Sequence, residues 1–342
     1  MDQERLVAAL MAGVPHPMLV VDDTARVSFL NAPARALLGD IDGRHYLTVI
    51  RQPEPVAALE RALAGGEGGA ARWRVTGPGP DTVYRGLVAP VPGLGASLVF
   101  EDVSDIEQAA DMRRDFVANV SHELRTPLTA LLGFIETLRG AARDDPAARE
   151  RFLGIMEREA LRMNRLVGDL LSLSRVEAEE RVRPTARVDL AALAGSVLAT
   201  LRGMADAAQV TLHLDAEADL PLVPGDPDQL TQVFHNLVEN AVKYGGNGKA
   251  VQIAIRRVAH DPVLRSTGVS VAVIDQGAGI DAIHLPRLTE RFYRVDSHRS
   301  REKGGTGLGL AIVKHIINRH RGRLKVDSEK GIGSRFEVVL PL

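Results

Sequence analysis

Between Phe116 and Leu138 apolar residues return at helical spacing, so that Phe116, Val120, Leu124, Leu131, Ile135 and Leu138 share one face of a helix turning ~100° per residue. His122 lies ~240° around from Phe116, opposite the middle of that stripe, with Asn119 and Thr126 one turn before and after it on the same side. A histidine there has no packing reason to exist. Pro127 should cost ~3 kcal/mol in such a helix, because it cannot donate to the carbonyl of Glu123 and its ring crowds that carbonyl. A defect beside an exposed His-Glu pair predicts a functional bend.

The same pattern organises the rest of the chain. Ser104 to Glu180 carries almost no strand signal and predicts two long helices separated by a loop at Gly140 to Pro146. In the second helix Met156, Met163, Leu166, Leu170 and Leu173 form a seam at 3/4 spacing, with the methionines as core filler. Two helices cannot cover both stripes, which predicts a homodimer whose hairpins complete a four-helix bundle. Before the hairpin, Pro17 to Leu30 predicts two short strands around a polar turn at Asp22 to Ala25, then a small helix through Ala34 to Leu38. Further strands are expected near Ala71 to Val75, Thr82 to Ala89 and Ala96 to Glu101.

Beyond the polar linker Arg181 to Arg187 the period changes again. A helix is predicted near Ala191 to Ala207 and a strand at Val210 to Leu214. In the run Gly225 to Gln229, Asp226 should cap a helix, Pro227 fits its first position and Gln229 should reach back to the cap. Strands at Val251 to Val258 and Val269 to Asp275, a helix from Leu308 to Arg319 and a hairpin of Arg323 to Ser328 with Ser334 to Leu340 complete the pattern.

The length of 342 residues allows two or three units, on a prior of ~150 residues per domain. A net charge of −2, with no aromatic-interleaved basic patch, excludes nucleic acid as an expected partner. No run reaches the ~18 to 20 uninterrupted apolar residues of a membrane helix, so no integral membrane segment is expected. The start MDQERL lacks the basic opening of a signal peptide. The absence of cysteine rules out disulfides, thiolate metal sites and cysteine nucleophiles, and a cytoplasmic location is the simplest expectation.

Three further stretches carry chemistry. On the helix HNLVENAVKYG, Asn236, Asn240 and Lys243 share one face while Val233, Leu237, Ala241 and Val242 form the buried one. Two amides and an ammonium suit a hydrated Mg²⁺ and phosphates, although a solvated polar face would look the same. The strand VAVIDQGAGI delivers Asp275 to its end, with Gly277 and Gly279 turning the chain against a flat ligand. The run GGTGLGLAIVKH leaves backbone amides free at Gly305, Gly307 and Gly309, at a helix start where phosphate is favoured. It is neither a dinucleotide fingerprint nor a Walker A loop. An H-E-x-x-H zinc motif is excluded as well, since its fifth position is Thr126.

In this order the stretches resemble the histidine protein kinases of two-component signalling, over Asp111 to Leu342. SHELRTP resembles the phosphoacceptor box, HNLVENAVKYG the N box, DQGAGI the first glycine box, ERFYRVD the F box and GGTGLGLAI the second glycine box. The phosphate-sensing branch of the family is the most similar. The resemblance implies that His122 is the phosphorylated nucleophile, Glu123 its proton acceptor and Asn240 the principal Mg²⁺ ligand. It makes Asp275 the adenine reader and Lys243 and Gly305 to Gly309, including Thr306 and Leu308, the phosphate contacts. Asn236, Tyr244, Gly277, Gly279 and Ile280 would line the same pocket, and Phe292 would clamp a lid of roughly Asp281 to Gly304. Thr126 would position water for dephosphorylating the partner, a response regulator receiver domain.

The expected fold is therefore multidomain α+β. Residues 1–103, whose strand pair leads into the turn Asn31-Ala32-Pro33, resemble a PAS-like α/β sensor, the alternative being an α/β domain that only dimerises; an antiparallel helical hairpin (104–180) that dimerises into a four-helix bundle follows, then an α/β sandwich ATP-binding domain of the GHKL type (187–342). Many relatives carry membrane helices ahead of the sensor, so the input is expected to be cytoplasmic or supplied by a membrane-protein partner. Two rival classes share part of the pattern: a gyrase- or chaperone-type ATPase, which has no use for the His-Glu hairpin, and a scaffold that binds ATP without catalysis.

Overall fold

The computed structural model describes residues 3–76, 81–246, 249–296 and 305–342. The chain divides into two compact units, Met1–Ala118 and Asn119–Leu342, and the boundary falls inside one long helix.

The first unit is built on an antiparallel sheet of β1 (Met18–Val21), β2 (Val27–Leu30), β3 (Gly69–Val75), β4 (Thr82–Val91) and β5 (Gly95–Asp102), in the order β2-β1-β5-β4-β3. The polar turn expected between β1 and β2 is closed by Asp22, whose Oδ1 accepts from the amides of Thr24 and Arg26. Strand alternation puts Leu19, Val21, Trp73, Leu98 and Phe100 on the inner face. Between β2 and β3 lie α2 (Ala32–Leu38) and α3 (Pro53–Leu63), and α3 lays Ala58, Leu59 and Ala62 on that face. The hydrophobic pattern predicted neither α3 nor α1 (Gln3–Ala12). The prolines that open α3 look like turn residues, yet in a first turn no intrahelical donor is needed from them. Asn31, only 4% exposed, ties the unit together. Its Oδ1 accepts from the amides of Met18 and Ala34, and its Nδ2 donates to the carbonyls of Val14 and His16.

The second unit contains a helical hairpin and an α/β sandwich. The hairpin is the later part of α4 (Ser104–Arg139) with α5 (Pro146–Glu179), which starts on an Asp145 cap. Phe134 stacks on Phe152 with ring centroids 5.4 Å apart; Leu166 and Leu173 of the expected seam are buried, and so is Val176 one turn beyond it. α4 runs through Pro127 without interruption and buries its ring, so the helix is not broken where the proline predicted a weak point. Ile135, expected on the covered stripe, is 40% exposed, because Phe134 takes the inward position.

The sandwich has five strands in the order β11-β12-β10-β9-β7: β7 (Thr211–Ala216), β9 (Ala250–Asp261), β10 (Ser266–Asp275), β11 (Arg323–Glu329) and β12 (Gly333–Pro341). β7 pairs parallel to β9 and the rest are antiparallel. Short strands β6 (Arg187–Val188) and β8 (Val223–Pro224) form a separate pair. α6 (Leu190–Ala207), α7 (Pro227–Tyr244) and α8 (Gly309–Arg319) supply buried faces such as Leu237, Ala241, Ile312 and Ile316. By length and composition α6 is apolar enough to cross a membrane, but Leu190, Ala194, Val197, Leu201 and Ala205 along it are buried in this unit.

The start of α7 shows a different cap from the one expected. Asp226 does accept from the amides of Asp228 and Gln229, but the Gln229 Oε1 is buried without a partner. The amide of Asp226 donates instead to Nε2 of His320, a fully buried ring whose Nδ1–H donates to the carbonyl of Ile316. A residue 94 positions away has taken the role given to a local one. Burial holds the His320 imidazole below its ordinary pKa, which keeps Nε2 free to accept.

Candidate functional site

On α7 the apolar residues Val233, Leu237, Ala241 and Val242 are buried, and helical geometry then turns Asn236, Asn240 and Lys243 to the opposite, half-buried side. Lys243 Nζ lies 3.0 Å from Glu239 Oε1. The Nδ2 of Asn236 is buried and has no hydrogen-bond partner among the described residues, a costly state for an amide unless a ligand completes it.

The end of β10 faces the same region. Asp275 is 7% exposed, and burial raises its carboxyl above the usual range, opposed by hydrogen bonds from Gly277 and Ser334. Its Oδ1 accepts from the Gly277 amide at 2.8 Å, which fixes the side chain at the strand end. Gly279 has a φ of +64°, and a Cβ there would stand 1.9 Å from the carbonyl oxygen of Glu329. Only glycine closes this turn. The Ile280 amide donates to Ser328 Oγ at 2.8 Å, and Tyr244, at the end of α7, is half-buried.

The Phe292 amide donates to the Gly307 carbonyl at 2.8 Å, joining the expected lid to the glycine-rich segment after it. Phe292 itself holds a φ of +64°, a conformation that disfavours a bulky residue and that clusters at functional sites. Gly307, with a φ of +75°, has no room for a Cβ, which would sit 2.9 Å from the Phe292 backbone. Gly305, Thr306, Leu308 and Gly309 then lead into α8, and a Cβ on Gly309 would press on Asn236 Oδ1 at 3.2 Å. The last part of the expected lid, residues 297–304, lies outside the described residues.

On α4, His122, Asn119 and Thr126 are all exposed, on the side their spacing predicted. Thr126 Oγ1 donates to the His122 carbonyl at 3.2 Å. Glu123 is engaged: its Oε2 accepts from Arg162 of α5 at 2.9 Å and from Arg294 at 3.1 Å. Arg294 is two residues past Phe292, so one carboxylate links the histidine-bearing helix to the segment expected to form the lid. Sequence reasoning quoted Arg294 within ERFYRVD but gave it no role, and it passed over Arg162 and Asp169. Asp169 Oδ2 accepts from Thr306 Oγ1 at 2.6 Å. Charge in these positions was legible; partners from other elements were not.

The arrangement fits a nucleotide. The orphaned Asn236 amide, the glycine turns that admit no side chain, the buried acceptor Asp275 and the Lys243 ammonium converge around the ends of α7 and β10 and the start of α8. Two family models match the chain in the corresponding order: the His Kinase A (phospho-acceptor) domain over residues 112–179 and the histidine kinase-, DNA gyrase B- and HSP90-like ATPase over residues 225–342. The chain belongs to the sensor histidine kinases. Among similar kinases, the phosphate regulon sensor protein PhoR of Pseudomonas aeruginosa is 44% identical over 239 residues, covering 70% of this chain and 52% of that one. The sensor protein kinase WalK of Staphylococcus saprophyticus is 32% identical over 99% of this chain and 55% of its own. The sensor-like histidine kinase SenX3 of Mycolicibacterium smegmatis is 38% identical over 72% of this chain and 62% of its own. The chain thus spans between half and two thirds of the length of these histidine kinases. Histidine kinase ThkA, solved in complex with the response regulator TrrA, superposes over 100% of this chain and 98% of its own, with a TM-score of 0.54 at 19% identity, a likeness of fold.

Proposed function

We propose that this chain phosphorylates itself on His122 from ATP and passes the phosphoryl group to an aspartate in the receiver domain of a response regulator. The observation that carries the proposal is the bond between Arg294, at the lid, and Glu123, beside His122, which brings the nucleotide-binding half to the phosphoacceptor helix. In the first step a ring nitrogen of His122 attacks the γ-phosphorus in line; the N–P bond forms as the P–O bond to ADP breaks. Glu123, once released from its arginines, takes the ring proton. Asn240 offers an amide oxygen to Mg²⁺, which when bound offsets phosphate charge. Lys243 and the loop amides at Gly305 to Gly309 orient the phosphates, while Asp275 accepts from the adenine amine and Asn236, Tyr244 and Ile280 line the pocket.

Incubation with γ-labelled ATP and Mg²⁺ tests the assignment. Acid-labile, base-stable label is expected on the wild-type chain and none on His122→Ala. Equal labelling of both would sink it, and an unlabelled protein that still binds nucleotide would be a scaffold.

The domain limits follow the same reading: a PAS-like sensor over 1–103, the dimerisation and phosphotransfer hairpin over 104–180 and the ATP-binding domain over 187–342. The sheet order of the first unit and its buried Asn31 support the PAS-like assignment. Leu128, Leu132 and Ile135 on α4, with Leu161, Val167 and Leu171 on α5, stay exposed in a single chain, which supports a homodimeric bundle. Using ATP, the kinase half belongs in the cytoplasm, with the signal arriving there or through a membrane-protein partner. Similarity to PhoR favours a phosphate-responsive pathway. The exposed Thr126 beside His122 supports phosphatase activity toward the regulator; a Thr126→Ala variant that dephosphorylates the regulator at the wild-type rate would refute that role.

A further inference from the structure

On α5, the inward positions around Asp169 belong to Leu166, Leu170 and Leu173, and an apolar residue would be the ordinary occupant of a half-buried place among them. Asp169 instead points its carboxylate at the second glycine-rich loop. Its Oδ2 accepts from Thr306 Oγ1 at 2.6 Å, and that oxygen in turn accepts from the Leu308 amide at 3.3 Å. Glu239 and Lys243 of α7 and Arg165 of α5 lie within electrostatic reach. Burial pushes the Asp169 carboxyl up, opposed by the Thr306 hydrogen bond. The hydroxyl assigned to nucleotide phosphate is therefore already donating to an anionic oxygen, and the ammonium of Lys243 faces the carboxylate of Glu239 at 3.0 Å.

We propose that Asp169 is an internal competitor of nucleotide, holding Thr306 where a phosphate oxygen would take the same hydrogen bond. The proposal rests on the nucleotide-site reading given above. Carboxylate and phosphate oxygens are equivalent acceptors for a hydroxyl, with O–H···O⁻ contacts of similar length. Only one of them can occupy the Thr306 donor. Displacing Asp169 separates the loop from α5. Because the Phe292 amide is bonded to the Gly307 carbonyl, the displacement also pulls on the Arg294–Glu123 bond and frees Glu123 to take a proton. Asp169 is thus a positioning residue: it keeps the kinase silent until nucleotide arrives.

The test titrates the full chain with the non-hydrolysable analogue adenylyl imidodiphosphate and Mg²⁺, and separately with adenosine. Removing the competitor in Asp169→Ala should tighten the analogue about five- to tenfold, as when a competing conformation is removed, and leave adenosine unchanged, since it brings no phosphate. Asp169→Asn, which keeps the volume and an accepting oxygen without the charge, should fall between and serves if the alanine variant does not fold. In labelling assays KM for ATP should drop more than kcat changes. A variant series that binds the analogue no more tightly than wild type, or that tightens adenosine equally, overturns the competitor role. If the wild-type chain itself binds no analogue, the nucleotide-site reading falls, and this inference with it.

Discussion

The two five-stranded sheets treat buried polar groups in opposite ways. In the first unit Asn31 spends its side chain on the fold: four backbone groups from three segments meet on its amide. In the second, Asn236 keeps a buried Nδ2 with no partner among the described residues, and Asp275 is held near the end of its strand against the cost of burial. A satisfied buried amide stabilises one packing, whereas an unsatisfied one is stabilised by whatever ligand completes it. The first unit satisfies its buried amide from its own backbone, and the second leaves a buried donor for a ligand to complete.

The contrast predicts separable losses. The largest is expected from Asn240→Ala, which should lower the rate of His122 labelling by about 100-fold, roughly 2.7 kcal/mol in the barrier, with little change in thermal unfolding. A large drop in melting temperature instead would place Asn240 with the structural amides. Next, Asn31→Ala should destabilise the first unit by about 2 kcal/mol, since buried donors and acceptors are left unpaired, while nucleotide titration of the chain stays at wild type. Denaturant unfolding followed at Trp73 reads this directly. Smaller again, Asn236→Ala should cost less than about 1 kcal/mol of stability, because its Nδ2 donates to no group among the described residues, yet weaken nucleotide binding about tenfold. Equal stability losses at Asn31 and Asn236 would erase the comparison.

The smallest effect concerns His320, the buried ring that accepts from the Asp226 amide. Its pKa is depressed in the fold, so the unfolded chain binds the proton more readily; the stability it contributes is present above the unfolded value of about 6.5 and is lost as pH falls through the folded one. Asp275 and Asp169, whose carboxyl pKa values are raised, act in the opposite sense, so the difference between wild type and His320→Asn isolates the ring. That difference should shrink by about 1 kcal/mol between pH 7.5 and pH 5. A difference independent of pH would mean that folding leaves the proton affinity of the ring unchanged.

Legibility followed the range of the interactions. The hairpin and its loop, the faces of α7 and the strands of both sheets were readable because the 3.6 and 2.0 periods and the proline and glycine signals act over a few neighbours. The helix α3 escaped because its opening prolines carry a turn signal as strong as their helix-start signal. At Pro127, where a bend was expected, α4 continues as helix with the proline ring buried.

The sequence by itself determined where the candidate residues stand: His122 on an exposed face, Asn236, Asn240 and Lys243 on one side of a helix, and glycines where turns admit no side chain. Each depends on a residue's place in its own element, which local geometry dictates. Only the tertiary structure decided what those residues touch. Glu123 meets Arg294 across 171 positions, Thr306 meets Asp169 across 137, and His320 caps α7 across 94. A charged or hydroxyl side chain announces that it needs a partner, but many partners satisfy the need equally, and packing of the apolar faces chooses among them.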